Sequence, residues 1–211
     1  MGMENSRTFI RQDTLRDAII YEIIDWEWNM MILWKQKTGK APGEEEFEDF
    51  YRVRYSQHDA MNSDTLALYK SDLSVASHTG RNLMEEKYAF IEAASKGVAP
   101  APIDPAAEKL VAEIMPLMKA SNEKFAAKYP SLASAGQAFG GEVSPAVYME
   151  SELRIMEVPT LQMMLRDVKL DPDYVQKIYQ GLIGFFGQDS LEKAEVLTKA
   201  QTMQSCRGKT L

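Results

Sequence analysis

From Asp13 to Lys37 the chain has neither proline nor glycine, and Leu15, Ile19, Ile23, Met30 and Trp34 recur at helical steps of three, four or their sums. Thr14, with Asp17 three residues later, offers an N-terminal cap, and Thr38-Gly39-Lys40-Ala41-Pro42-Gly43 ends the run. Glu44-Glu45-Glu46 supplies acidic charge where a helix start favours it, and Phe47, Phe50, Val53 and Met61 mark a second helix. Ser63 is the expected cap of a third, carrying Leu66, Tyr69, Leu73 and Ala76. After His78-Thr79-Gly80 a fourth runs from Asn82 to Ser95. Three prolines between Pro100 and Pro105 make the clearest linker in the chain.

Beyond it, Leu110, Ile114, Met118 and Phe125 resume the helical spacing until Tyr129-Pro130, and a loop of small residues is expected from there to about Val143. Ser144-Pro145 pairs a cap with a first-turn proline and opens a helix through Tyr148, Glu152 and Ile155. Val158-Pro159 and Asp171-Pro172-Asp173 start two more, the second through Tyr174, Ile178, Leu182 and Phe185, and a last helix begins near Ser190 and frays into a polar tail. No stretch alternates long enough to build a sheet. The expected fold is all-α. The expected organisation is a disordered or tag-derived tail (1–12), a first helical half (13–95), a linker (96–106), a second half packed on the first as one domain (107–187), and a C-terminal helix and tail (188–211).

The two sides of the linker match at a constant offset of 95 residues. Leu15 falls on Leu110, Ile19 on Ile114, Met30 on Phe125, Ser56 on Ser151, Met61 on Met156, Thr65-Leu66 on Thr160-Leu161 and Asp72 on Asp167. One ungapped register through three successive helix starts predicts a duplication, with two pseudo-symmetric four-helix halves packed about an approximate twofold.

An unpaired buried charge costs several kcal/mol, so carboxylates belong off an apolar stripe. Glu27 breaks that rule, lying in line with Ile20, Ile23, Ile24, Met30 and Met31 between Trp26 and Trp28. Arg54 and Gln57 interrupt the second helix's stripe, Asn122 falls between Met118 and Phe125, and Glu152 follows Tyr148 by one turn. Glu27 corresponds to Asn122 and Gln57 to Glu152 at the same offset. The four are expected to converge on a site between the halves. There Glu27 and Glu152 would serve as acid/base groups with raised pKa values, and Arg54, Gln57 and Asn122 would position a ligand. On that view Glu27→Gln keeps the fold. Glu86, Tyr88 and Trp26 join the candidate ligand-binding set. The competing reading is a buried Glu27–Arg54 salt bridge, with Gln57, Asn122 and Glu152 capping neighbouring backbone or bridging waters.

Ile24-Asp25-Trp26-Glu27-Trp28-Asn29-Met30, Arg54-Tyr55-Ser56-Gln57, Gly80-Arg81-Asn82-Leu83 with Glu86-Lys87-Tyr88-Ala89, and Tyr148 with Glu152-Leu153 and Thr160-Leu161 carry a resemblance. Over about residues 14–187 the chain resembles domain-of-unknown-function family 4125, an uncharacterised bacterial family. It departs from that pattern at His58 and Met61, where aromatic residues are expected, and over 129–143. The resemblance implies a bacterial helical protein and transfers no activity.

The chain has 211 residues, 45% of them hydrophobic, enough for a substantial core. A net charge of −7 argues against nucleic acid and anionic membrane surfaces. No apolar run approaches the ~20 residues of a membrane span, and the expected location is the cytoplasm. Cys206 is the only cysteine, which excludes an intrachain disulfide framework and a thiolate zinc site. Neither histidine has glutamate three residues before it, as a di-iron bundle requires, and no glycine-rich phosphate loop is present. No cofactor or metal is predicted, although Glu22, Glu27, Glu86 and Glu152 leave an all-carboxylate set open. Thirteen methionines suit either a plain core or an adaptable apolar ligand cavity. Two functions compete: a small-molecule binding protein or carboxylate acid/base enzyme (lyase, isomerase or hydrolase), and a helical adaptor without catalysis. A homodimer is compatible with either.

Overall fold

A computed structural model describes residues 9–11, 13–39, 43–139 and 143–207. Among them are ten helices and no strand, so the fold is all-α. The first four are α1 (Leu15–Lys37), α2 (Glu44–Asp59), α3 (Ser63–Thr79) and α4 (Leu83–Ser95). After the proline-rich connection come α5 (Pro105–Lys128), α6 (Pro130–Phe139), α7 (Pro145–Leu153), α8 (Val158–Leu170), α9 (Tyr174–Gly184) and α10 (Leu191–Arg207). No helix among the described residues is long and apolar enough to cross a membrane.

Local signals start several of these helices. Thr14 and Asp17 form a reciprocal capping box on α1, and the side chains of Asn82, Asp104 and Ser144 accept from the first turns of α4, α5 and α7. Gly80 ends α3 with φ of 75°, a left-handed conformation that costs a side-chain-bearing residue more.

Two helix starts depart from expectation. Ser63 is the first residue of α3 rather than its cap, and the Asn62 side chain makes no capping bond to α3, its amide donating to Asp167 Oδ1. The Asn62 backbone N–H donates to Asp167 Oδ2 at 3.0 Å, and Thr65 Oγ1 donates to the same oxygen at 2.6 Å. At the start of α8 the backbone N–H of Glu157 and the hydroxyl of Thr160 donate to Asp72 Oδ2 at 3.0 and 2.6 Å. Each helix thus carries the carboxylate that caps the other. The second departure is α6, where a loop was expected. The α10 residue Glu195 accepts the backbone N–H groups of Ser131 and Leu132, both at 2.9 Å, fixing the α6 start from over 60 residues away. Residues 140–142, the end of that expected loop, lie outside the described residues.

In the packing, α1 lies against α2, α3 and α4, while α5 lies against α6, α7, α8 and α9. Across the linker α2 meets α9, α3 meets α8 and α4 meets α7, and α10 covers α6 and α9. A main core draws on both sides of the linker, including Ile20, Ile24, Tyr51, Leu73, Met84, Ile114, Leu153 and Leu161. A smaller one gathers Phe125, Tyr129, Leu132, Val175, Ile183 and Leu191. Residues of both cores face a common gap.

Candidate functional site

The apolar stripe of α1 carries Glu27 into the main core, where its side chain is fully buried. Arg54, on α2 and 3% exposed, meets it with two parallel bonds, Nε to Oε2 at 2.8 Å and Nη2 to Oε1 at 2.5 Å. This planar pairing is the strong form of a buried ion pair. Tyr69 on α3 donates its hydroxyl to Glu27 Oε1 at 2.7 Å, and His58 Nε2 lies 3.1 Å from Oε2. The third guanidinium nitrogen, Nη1, reaches Glu152 Oε1 on α7 at 2.5 Å and Gln57 Oε1 at 2.6 Å. Glu152 also takes a bond from Lys87 on α4, which is 2% exposed, and Lys87 Nζ lies 3.2 Å from the Tyr148 hydroxyl. Two anions and two cations therefore alternate: Glu27, Arg54, Glu152, Lys87.

Their ionisation differs from the sequence-based expectation of raised carboxylate pKa values. Burial alone pushes Glu27 up, but the charge and hydrogen bonds of Arg54, with the His58 contact, hold it well below the usual carboxylate range. Burial is likewise outweighed at Glu152 by Arg54 and Lys87, which bring its pKa down to about 2. For Lys87 desolvation acts downward, and Glu152 more than offsets it, keeping the ammonium above its ordinary value. Glu27 and Glu152 are standing anions at neutral pH, and so weak bases.

Beside this chain of charges lies a cavity of about 220 Å³, walled by α2 on one side and by helices α5 to α9 on the other. Its wall is mostly apolar, with Met61, Met118, Met149, Met156 and Met164 prominent. Arg54, Gln57, His58, Asn122, Tyr148 and Glu152 supply the polar part. The cavity lies where the two cores meet, since Met118, Met156 and Met164 belong to the main one and Ala133 and Val175 to the smaller.

Of the residues singled out in the sequence, Arg54, Gln57, Asn122 and Glu152 are on this wall. Glu27 sits behind Arg54, joined to it but not lining the cavity. Three others lie elsewhere. Glu86 faces the surface and pairs with Arg81, whose Nε and Nη2 donate at 3.0 and 2.9 Å. Tyr88 stacks on Trp34, ring centres 4.5 Å apart, and Trp26 packs half-buried against the main core. The four carboxylates of the all-carboxylate metal set are likewise engaged separately, Glu22 with Lys70, Glu86 with Arg81, and Glu27 and Glu152 with Arg54. Among the described residues no group of three or more His, Cys, Asp or Glu side chains is arranged to hold a metal ion.

Sequence reasoning missed Lys87, His58, Tyr69 and Tyr148 as members of this cluster. The signal for Lys87 was there, because it falls four residues after Leu83 and three before Phe90, on the buried stripe of α4. His58 occupies the corresponding place on α2, three residues before Met61.

The chain belongs to the family described as "Protein of unknown function (DUF4125)", whose profile matches residues 17–196, most of its length. No curated protein and no solved structure matches it.

Proposed function

We propose that this chain is a cytoplasmic bacterial protein that binds a small, mostly apolar molecule in the cavity between α2 and the helices after the linker. The carrying observation is a methionine-rich cavity of about 220 Å³ whose wall carries Arg54 and Glu152, with Glu27 and Lys87 paired to them behind it. Ligand sites combine an apolar lining with a few fixed polar groups, and methionine adapts its shape to what it contacts. Glu152, held by two cations, and the amides of Gln57 and Asn122 are the orienting groups. Binding is favoured over acid/base catalysis because a carboxylate with a pKa of about 2 is a poor proton acceptor. The walls come from one chain, so the reading needs no second copy. The acidic charge balance disfavours nucleic acid as the partner.

We further infer that the two sides of the linker are related halves. Supporting this, Asn62, Thr65 and Asp72 are each 95 residues from Glu157, Thr160 and Asp167, and these residues make the crossed caps of α3 and α8. The contacts of α1 with α2, α3 and α4 parallel those of α5 with α7, α8 and α9, and α2 on α9 parallels α7 on α4. At the same offset Glu27, Arg54, Tyr69 and Lys87 correspond to Asn122, Met149, Met164 and Leu182, all on the cavity wall. On this reading one half packs a charged network where the other keeps a cavity.

A thermal-shift screen of small apolar compounds tests the binding reading, with Ala126→Phe, a cavity-wall substitution, as the blocked control. Compounds that raise the melting temperature of the natural protein and leave the folded variant unmoved support it. A protein indifferent to every compound supports the adaptor reading, in which the internal polar residues serve packing alone.

A further inference from the structure

One nitrogen sets the hydrogen-bonding pattern of the cavity wall. Arg54 Nη1 donates to Gln57 Oε1 at 2.6 Å and to Glu152 Oε1 at 2.5 Å, so these two side chains end beside each other. A guanidinium only donates, which fixes the Gln57 amide with its oxygen on Arg54 and its NH2 turned away. Glu152 Oε1 also takes Lys87, and the carboxylate stays ionised between these two cations. The outer atom of each group then has one role: the Gln57 nitrogen donates and Glu152 Oε2 accepts. Both residues line the cavity and neither is sealed from it, the Glu152 side chain being 12% exposed.

A molecule seated against this wall displaces water from both atoms. Covering an ionised oxygen without giving it a donor, or an N–H without an acceptor, weakens binding. The polar end of the ligand therefore carries a donor for Glu152 and, on a neighbouring atom, an acceptor for Gln57. It is also uncharged. Glu27 and Glu152 balance Arg54 and Lys87, so a charged head would add an uncompensated charge to the cluster.

A carboxamide is neutral and holds its N–H and C=O on one planar carbon. Asn122, on α5 and on the same cavity wall, supplies a further amide that can donate or accept. An apolar cavity of about 150 Å³ takes benzene, so one of about 220 Å³ scales to roughly nine non-hydrogen atoms, a ring with a carboxamide head. We propose that the ligand is a small neutral amide of this kind, its N–H on Glu152, its C=O on Gln57 and its apolar body among the methionines. This rests on the binding reading above and names its ligand class.

The test is calorimetric titration of the full chain with benzamide and with ring compounds that differ in the head. Acetophenone keeps the C=O and loses the N–H, benzoate is its charged counterpart, benzyl alcohol carries a single hydroxyl, and p-xylene has no polar atom. Benzamide should bind about ten-fold more tightly than acetophenone, the effect of one bond to a charged acceptor, and more tightly than the other three. Gln57→Met should weaken benzamide several-fold and leave p-xylene unchanged. Acetophenone, benzoate or benzyl alcohol matching benzamide, or benzamide indifferent to Gln57→Met, would overturn the amide assignment while leaving the cavity reading intact. Binding of none of the five overturns both. Ala126→Phe should abolish the binding of benzamide, and its persistence there would place the compound elsewhere and overturn the assignment.

Discussion

Arg54 and Glu152 stand 98 residues apart in sequence and meet at 2.5 Å, joining α2 to α7 across the linker. Because the same guanidinium also holds Glu27, one side chain ties together the buried charges contributed by both sides of the chain.

Removing either anion therefore leaves cations buried without a full partner. Glu27→Gln should destabilise the protein by about 3 kcal/mol, within the range for broken buried pairs. Urea unfolding checks this. The sequence-based picture of a neutral, tolerant Glu27 requires instead no loss.

Acid should act through the same groups. Glu152 has a folded pKa of about 2 against an ordinary 4.5, and Glu27 is also depressed. A depressed carboxylate contributes stability that is fully present above its unfolded pKa and is lost as pH falls through the folded one. The window runs from about pH 4.5 downward, with a loss on the order of 3 kcal/mol from Glu152. Between pH 5 and 8 these two groups should leave stability flat. Unfolding free energies of the natural protein and Glu152→Gln, measured from pH 7 to pH 3, should converge as pH falls.

The crossed caps make a separate prediction. Asp72→Ala and Asp167→Ala each remove a carboxylate that accepts one backbone N–H and one threonine hydroxyl, and Asp167 also accepts the Asn62 side-chain amide. Each should cost about 2 kcal/mol, the scale of bonds to a charged acceptor, and the two costs should be similar if the halves are related. Melting curves of the two variants test this, and losses differing several-fold would count against the twofold.

At Gly136 an added Cβ would lie 2.1 Å from the Tyr179 hydroxyl oxygen, and both residues line the cavity. Gly136→Ala should displace the tyrosine ring from its stack on Phe125, now 4.1 Å between centres, at a cost of about 1–3 kcal/mol. Near-ultraviolet circular dichroism and the melting temperature report the two effects.

What was legible in the sequence follows from what is local. Thr14, Asn82 and Ser144 cap helices within three residues of themselves, so spacing alone located those starts. The α6 helix was illegible because its residues are mostly small and Glu195 caps it from a distant helix. Glu27 and Glu152 stood out as acids on apolar faces, but their ionisation depends on Arg54 and Lys87 from other helices, which reversed the expected direction. The cavity is a gap between two cores and has no sequence signature beyond its methionines.

Those methionines give the most direct test of the central claim. In protein labelled with ¹³C at the methionine methyl groups, p-xylene should shift Met61, Met118, Met149, Met156 and Met164, which line the cavity. It should leave Met30, Met31 and Met84, buried in the main core away from that wall, in place. Saturable shifts confined to the first group are the predicted result. Shifts absent from that group, or strongest among Met30, Met31 and Met84, would contradict a binding site there.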